Sequence, residues 1–151
     1  MDSYKRLLLV VDLSEHSLTI GRRALALTRL FGARIDLLHV FEFVPVEPMG
    51  ETLMPAVQIE EELLERAKQR LMQLAVDLGL DLGSDQAELF VEAGNVKSEI
   101  LRVARERGTD LIVIGSRERH GMSILVNLTE DTVLHGAPCD VLAVRVGGPP
   151  R

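Results

Sequence analysis

Residues 110–116 read DLIVIGS, and the chain continues from there as GSRERHGMSILVNLT over 115–129. The run from Leu111 to Ile114 is apolar at consecutive positions, as in a strand covered on both faces rather than one half open to water. Four other segments share this character: RLLLVVD (6–12), RIDLLHVF (34–41), AELFVEAG (87–94) and DVLAVRV (140–146). Near-continuous apolar strands alternating with amphipathic stretches predict an α/β domain, a five-stranded parallel sheet with helices on both faces, Rossmann-like in class.

The stretches between the strands carry helical spacing. In the first, Ile20, Ala24, Leu27 and Phe31 share a face, with Ser14 as the expected N-cap and Gly32 at the position past the end. The second, QIEEELLERAKQRLMQLAVDLG, aligns Leu63, Ala67, Leu71, Leu74 and Leu78, and its glutamates suit the positive end of the helix dipole. The third sets Val96, Ile100, Val103 and Ala104 between Asn95 as cap and Gly108 as terminator, and the fourth is expected from near Leu128 or Thr129 to end before HGAP (135–138), where Gly136 and Pro138 break it. Residues 42–56 hold three prolines and no period, so they are expected to form a long surface loop; Met49, Leu53, Met54 and Val57 place an apolar patch in or beside it. The expected domain is 1–146, followed by a disordered tail, 147–151.

Composition narrows the function. A net charge of −6 disfavours non-specific attraction to nucleic acid, and no Lys/Arg stripe with interleaved aromatics is present, so no nucleic-acid partner is expected. The longest apolar runs fall far short of the roughly 20 residues of a membrane span, and the N-terminal run ends in Asp12 rather than at a small-residue cleavage site. Neither membrane partner nor export signal is expected. The single cysteine, Cys139, has no internal partner, which accords with a cytoplasmic location and suggests a packing role. His16, His39, His120 and His135 are scattered over different elements without metal-ligand spacing, and Ser116, Ser123 and Thr129 have no paired His and acid, so neither a metal site nor a catalytic triad is expected.

In open parallel sheets ligands bind beyond the carboxyl ends of the strands, near the point where strand order reverses. The strand-end residues here are Asp12, Val40 with Phe41, Ala93 with Gly94, and the loop opened by Gly115. Asp12 is suited either to accept hydrogen bonds from a ribose or to cap the first helix beside Ser14. The Gly115 loop also carries Gly121 and enters a helix whose free amides suit an anion. It is neither a Walker loop nor a dinucleotide fingerprint.

LLLVVDLSEHS, IDLLHVF, ILRVARERGTDLIVIGSR and GMSILVNLTEDTVLHGAPCDVLAVRV together resemble the universal stress protein family, in the family's order and over nearly the whole chain. The resemblance implies a cytoplasmic role under stress, a fold akin to the adenine-nucleotide α-hydrolases, and a homodimer paired through the last strand. In this sequence that strand contributes Val141, Leu142, Ala143, Val144 and Val146. An apolar edge strand is itself a pairing liability unless a partner covers it. Asp12 and Val40 match the family's ribose and adenine contact positions.

Nucleotide-binding members carry Gly-x-x-Gly and, beyond a spacer, Gly followed by Ser or Thr. Here the first glycine is Gly115, but the other three positions are Glu118, Asn127 and Leu128. Thr129 stands one residue late. A carboxylate about 5 Å from a phosphate costs roughly 3 kcal/mol at an effective dielectric of 20, about a hundredfold in affinity unless Arg117 or Arg119 relieves it. Asn127 tolerates a left-handed backbone, whereas Leu128 offers no hydrogen bond. The expectation is a stress-response binding or regulatory protein without catalysis, acting with itself and an unidentified protein partner, with no cofactor held tightly. The alternative is an ATP or AMP sensor using Asp12, Val40, Gly115 and Thr129, with Arg117 or Arg119 on the phosphates.

Two further alternatives fit less well. An adenylate-forming or adenylate-cleaving enzyme calls for a His signature in the first turn or a Lys at the pyrophosphate, yet the turn reads DLSEHS and no Lys follows Lys97. A phosphoacceptor domain needs an Asp after the third strand and a Lys after the fifth, where the chain has Glu92 and Arg145.

Overall fold

The protein is described from a computed structural model, over residues 3–42, 54–117, 133 and 135–146. Its elements run β1 (Arg6–Val10), α1 (Ser17–Phe31), β2 (Arg34–Phe41), α2 (Met54–Asp77), β3 (Ala87–Ala93), α3 (Val96–Arg107), β4 (Leu111–Arg117) and β5 (Asp140–Val146). The five strands form one parallel sheet in the order β3-β2-β1-β4-β5, as the apolar runs predict. β1 is central, and the chain steps outward to β2 and β3 before crossing back to β4 on its other side. The reversal lies between β1 and β4.

Strand side chains alternate between two cores, which is why the strands read as unbroken apolar runs. Leu7, Leu9, Ile35, Leu37, Leu111 and Val113 pack with α1 and α2 on one face, and Leu8, Val10, Leu38, Val40, Ile112 and Ile114 pack with α3 and Val133 on the other. Gly21 of α1 lets Leu78, just past the end of α2, pack against its backbone: a Cβ there would stand 2.7 Å from Leu78 Cδ1.

Several local expectations need correction. β1 ends at Val10 instead of Asp12, ahead of the left-handed turn at Leu13 (φ +60°). Ser14 is not the N-cap of α1. His16 holds that position without a side-chain cap, since the Ser14 hydroxyl is used one turn earlier, accepting from His16 N at 3.2 Å. The buried face of α1 centres on Ile20, Gly21, Ala24, Leu25 and Thr28, with Leu27 and Phe31 at its margin. Thr28 tolerates burial by donating its hydroxyl to the Ala24 carbonyl at 2.8 Å.

The loop expected over 42–56 ends sooner, because residues 54–56 already belong to α2. Pro55 falls in the first turn, where its missing N–H leaves no hydrogen bond unmade. The stripe on α2 is buried at Ala67, Leu71, Leu74 and Ala75 and continues at Leu78 just past the helix, while Leu63 is 39% exposed. α3 matches its expected cap and terminator: Asn95 Oδ1 accepts from Ser98 N at 2.9 Å, and Gly108 has φ +64°. The helix before β5 includes His135 and Gly136 rather than ending before them, and the bare Cα of Gly136 fits against Leu101 of α3, 2.9 Å from where a Cβ would sit. Its expected start at Leu128 or Thr129, the 147–151 tail, and Met49 and Leu53 of the apolar patch lie outside the described residues.

Candidate functional site

At the carboxyl end of β1 the chain forms a compact turn. Asp12, exposed, accepts through Oδ1 from the Ser14 amide at 2.9 Å and from the Ser17 hydroxyl at 3.5 Å. Leu13 between them is buried and adopts a left-handed conformation, the one described non-glycine residue with positive φ. For such a residue this costs about 1–2 kcal/mol. Arg70, reaching across from α2, donates from Nη2 to the Leu13 carbonyl. A charge-assisted bond of that kind contributes about 1.5–3 kcal/mol, enough to hold the strained turn. A shallow groove of about 260 Å³ runs between the turn and α2, bounded by Ser17, Leu18, Arg70, Leu74 and Asp77.

Beside the turn, His39 of β2 places Nδ1 2.9 Å from the Val11 carbonyl and stacks on Phe41 with ring centroids 6.5 Å apart. Val11 continues the pairing for one step beyond β1, donating to the Leu38 carbonyl at 2.9 Å. Val40 is buried on the α3 side against Val10 and Ile114. Its methyl groups therefore supply an apolar floor at the β1–β2 strand ends. The amino end of α3 is already occupied by the chain's own groups: Glu42 Oε1 accepts from Val96 N at 3.4 Å, and Asn95 accepts from Ser98. A carboxylate on those amides disfavours a ligand anion there.

Gly115, the expected first glycine of a phosphate loop, stands inside β4 opposite Val144 of β5. Its lack of a side chain serves packing, because a Cβ at this position would stand 2.5 Å from Ile20 Cδ1 of α1. Arg117 closes β4 in register with Val146. Arg119, Gly121, Asn127 and Thr129, with the departures Glu118 and Leu128, lie outside the described residues. The structure thus brings Asp12, Val40 and Gly115 to the carboxyl edge of three adjacent strands, β2, β1 and β4.

The order reversal between β1 and β4, the Asp12 turn and the last strand at a sheet edge agree with a full-length family match: the model of the universal stress protein family aligns with residues 3–145. The chain belongs to the universal stress protein family. A curated relative, universal stress protein A homolog 2 of Coxiella burnetii, is 37% identical over 98% of this chain and 99% of its own. Among solved structures, the universal stress protein UspA from Lactobacillus plantarum shares the fold with a TM-score of 0.72 at 21% identity, over 96% of this chain and 100% of its own. The universal stress protein from Archaeoglobus fulgidus in complex with dAMP does so with a TM-score of 0.59 at 19% identity, over 93% and 98%.

Two residues of this universal stress protein's site escape sequence reasoning. Leu13 gives no signal, because a left-handed backbone is legible only where the sequence offers Gly, Asn or Asp. Arg70 sits among the polar positions of α2, 57 residues from the carbonyl it holds. His39 gives a weak signal, a polar residue interrupting an apolar strand. Among the described residues no group of three or more His, Cys, Asp or Glu is arranged to hold a metal ion, and no helix is long and apolar enough to cross a membrane.

Proposed function

We propose that this universal stress protein is a cytoplasmic, homodimeric binding protein without catalysis, whose site retains its nucleoside end and has lost its triphosphate end. The observation that carries the reading is the Asp12 turn, an exposed carboxylate held at the strand reversal beside the Val40 floor. A carboxylate suits the hydroxyls of a ribose, and an apolar floor suits a base. The dAMP complex of the Archaeoglobus fulgidus relative is consistent with a ligand of this class. The sequence departures at Glu118, Asn127 and Leu128 weaken the phosphate side, so added phosphates contribute little. Isothermal titration with adenosine, AMP and Mg-ATP tests this. Comparable, weak affinities are expected; ATP more than tenfold tighter than AMP would overturn the lost triphosphate end, and no binding of any would overturn the nucleoside reading.

The dimer is supported by a difference between the two sheet edges. β3 is guarded by Glu88 and Glu92, which pair with Arg107 at 3.3 Å and Arg102 at 3.4 Å. β5 runs uncharged from Val141 to Val144. Leu142, Val144 and Val146 already pack toward α1, so the surface left to a second copy is chiefly the main-chain edge. Covering that edge with a symmetry-related β5 satisfies its outward amides and carbonyls. Light scattering at micromolar concentration is expected to give twice the mass of one chain; the mass of a single chain would overturn the pairing.

A further inference from the structure

We propose that Arg70 is a positioning residue for the nucleotide site, acting on Asp12 through the single peptide group that joins Leu13 to Ser14. The carbonyl of that peptide accepts from Arg70 Nη2, and its N–H donates to Asp12 Oδ1 at 2.9 Å. A peptide group is planar and rigid, so fixing its oxygen fixes the direction in which its N–H points. The guanidinium also draws electron density toward the carbonyl oxygen, which strengthens the N–H as a donor on the other side. Asp12 is therefore aimed from α2, across a residue that would otherwise leave the left-handed conformation.

The backbone geometry explains why such a tether is placed here. Leu13, the middle residue of the turn that Asp12 closes on the Ser14 amide, has φ +60°, a conformation that glycine adopts without strain. Leucine stands there instead, buried in the core under α1 and α2. The packing of Leu13 and the conformation it must hold are in conflict, and the Arg70 bond offsets that conflict. Arg70 is itself exposed on α2, so its removal leaves no buried hole.

This inference rests on the reading that Asp12 faces a nucleoside, and its test separates the two. Amide hydrogen exchange without ligand, and AMP titration, are compared for the wild-type chain, Arg70→Ala and Arg70→Lys. Arg70→Ala is expected to speed exchange of the Ser14 amide about tenfold, leave the Leu8 and Leu37 core amides unchanged, and weaken AMP about tenfold. Arg70→Lys, which restores a charged donor, is expected to recover most of both. Unchanged Ser14 exchange in Arg70→Ala would overturn the relay, as would weakened AMP binding that Arg70→Lys fails to rescue. Faster Ser14 exchange with unaltered AMP affinity would overturn the positioning role. A wild-type chain that binds no AMP would end the nucleoside reading instead, and the relay would then stand or fall on Ser14 exchange and its rescue alone.

Discussion

The two ends of the sheet are built from the same five strands and treat polar groups in opposite ways. At the amino end carboxylates are spent on structure. Asp110 accepts from the Lys5 and Arg6 amides at 2.9 and 3.1 Å, Asp140 accepts from the Tyr4 hydroxyl at 2.7 Å, and Asp36, wholly buried in β2, pairs with Arg107 at 3.2 Å. The Arg107 guanidinium lies 5.1 Å from the centre of the Phe90 ring and reaches Glu88 as well. At the carboxyl end Asp12 is exposed and held by a turn, and Leu13 is strained. One end locks the layers together; the other is where the proposed ligand would be met. Stability and binding are therefore expected to separate along the strands.

The largest effect is expected from breaking the amino-end lock. Arg107→Leu leaves Asp36 buried without its counter-charge, and loss of about 3–5 kcal/mol is expected in urea melts, with no change in AMP affinity of the folded fraction. Adding Asp36→Leu should recover part of that loss, because an unpaired buried charge costs more than an apolar pair; a double variant less stable than Arg107→Leu alone would show that the pair matters for something besides charge balance.

Next comes the middle of the sheet. Gly115→Ala introduces a Cβ 2.5 Å from Ile20 Cδ1, and overpacking of this kind costs about 1–3 kcal/mol. Ile20→Val deletes that methyl group, so it should destabilise the parent chain by about 0.5–1.5 kcal/mol yet stabilise the Gly115→Ala variant. Additive losses in the thermal melts of the four chains would contradict a packing role for Gly115.

At the carboxyl end the balance reverses. Asp12→Ala is expected to weaken AMP at least tenfold in titration while shifting stability by less than about 1 kcal/mol, since the group it removes is exposed. A stability loss matching that of Arg107→Leu would erase the contrast between the ends.

The smallest effect concerns Cys139, at the entry to β5. Burial and the nearby Asp110 and Asp140 carboxylates push its thiol up to about 11. Its folded form thus favours the protonated thiol, a contribution present below about pH 9 and lost as pH rises toward 11. Alkylation by iodoacetamide should be slow at pH 8 and accelerate with a midpoint near 11; a rate at pH 8 equal to that of a free thiol would contradict it.

The sequence by itself determined the parallel sheet, the strand count, α3 with its cap and terminator, and the family. Each depends on local pattern: consecutive apolar residues for a strand covered twice, and Asn before and Gly after a helical period. It also located Asp12, Val40 and Gly115 toward the carboxyl side of their strands, although Asp12 lies past the end of β1 and Gly115 inside β4. Tertiary structure alone decided which strands neighbour one another, that Gly115 is bare to admit Ile20, that Asp36 is a buried partner of Arg107, and that Arg70 grips the Leu13 carbonyl. The last three relations join residues separated by 57 to 95 positions, and no local rule of spacing or propensity encodes them. A left-handed leucine is the sharpest case: its own propensity opposes the conformation, and only the core beneath it and the guanidinium above it make that conformation the stable one.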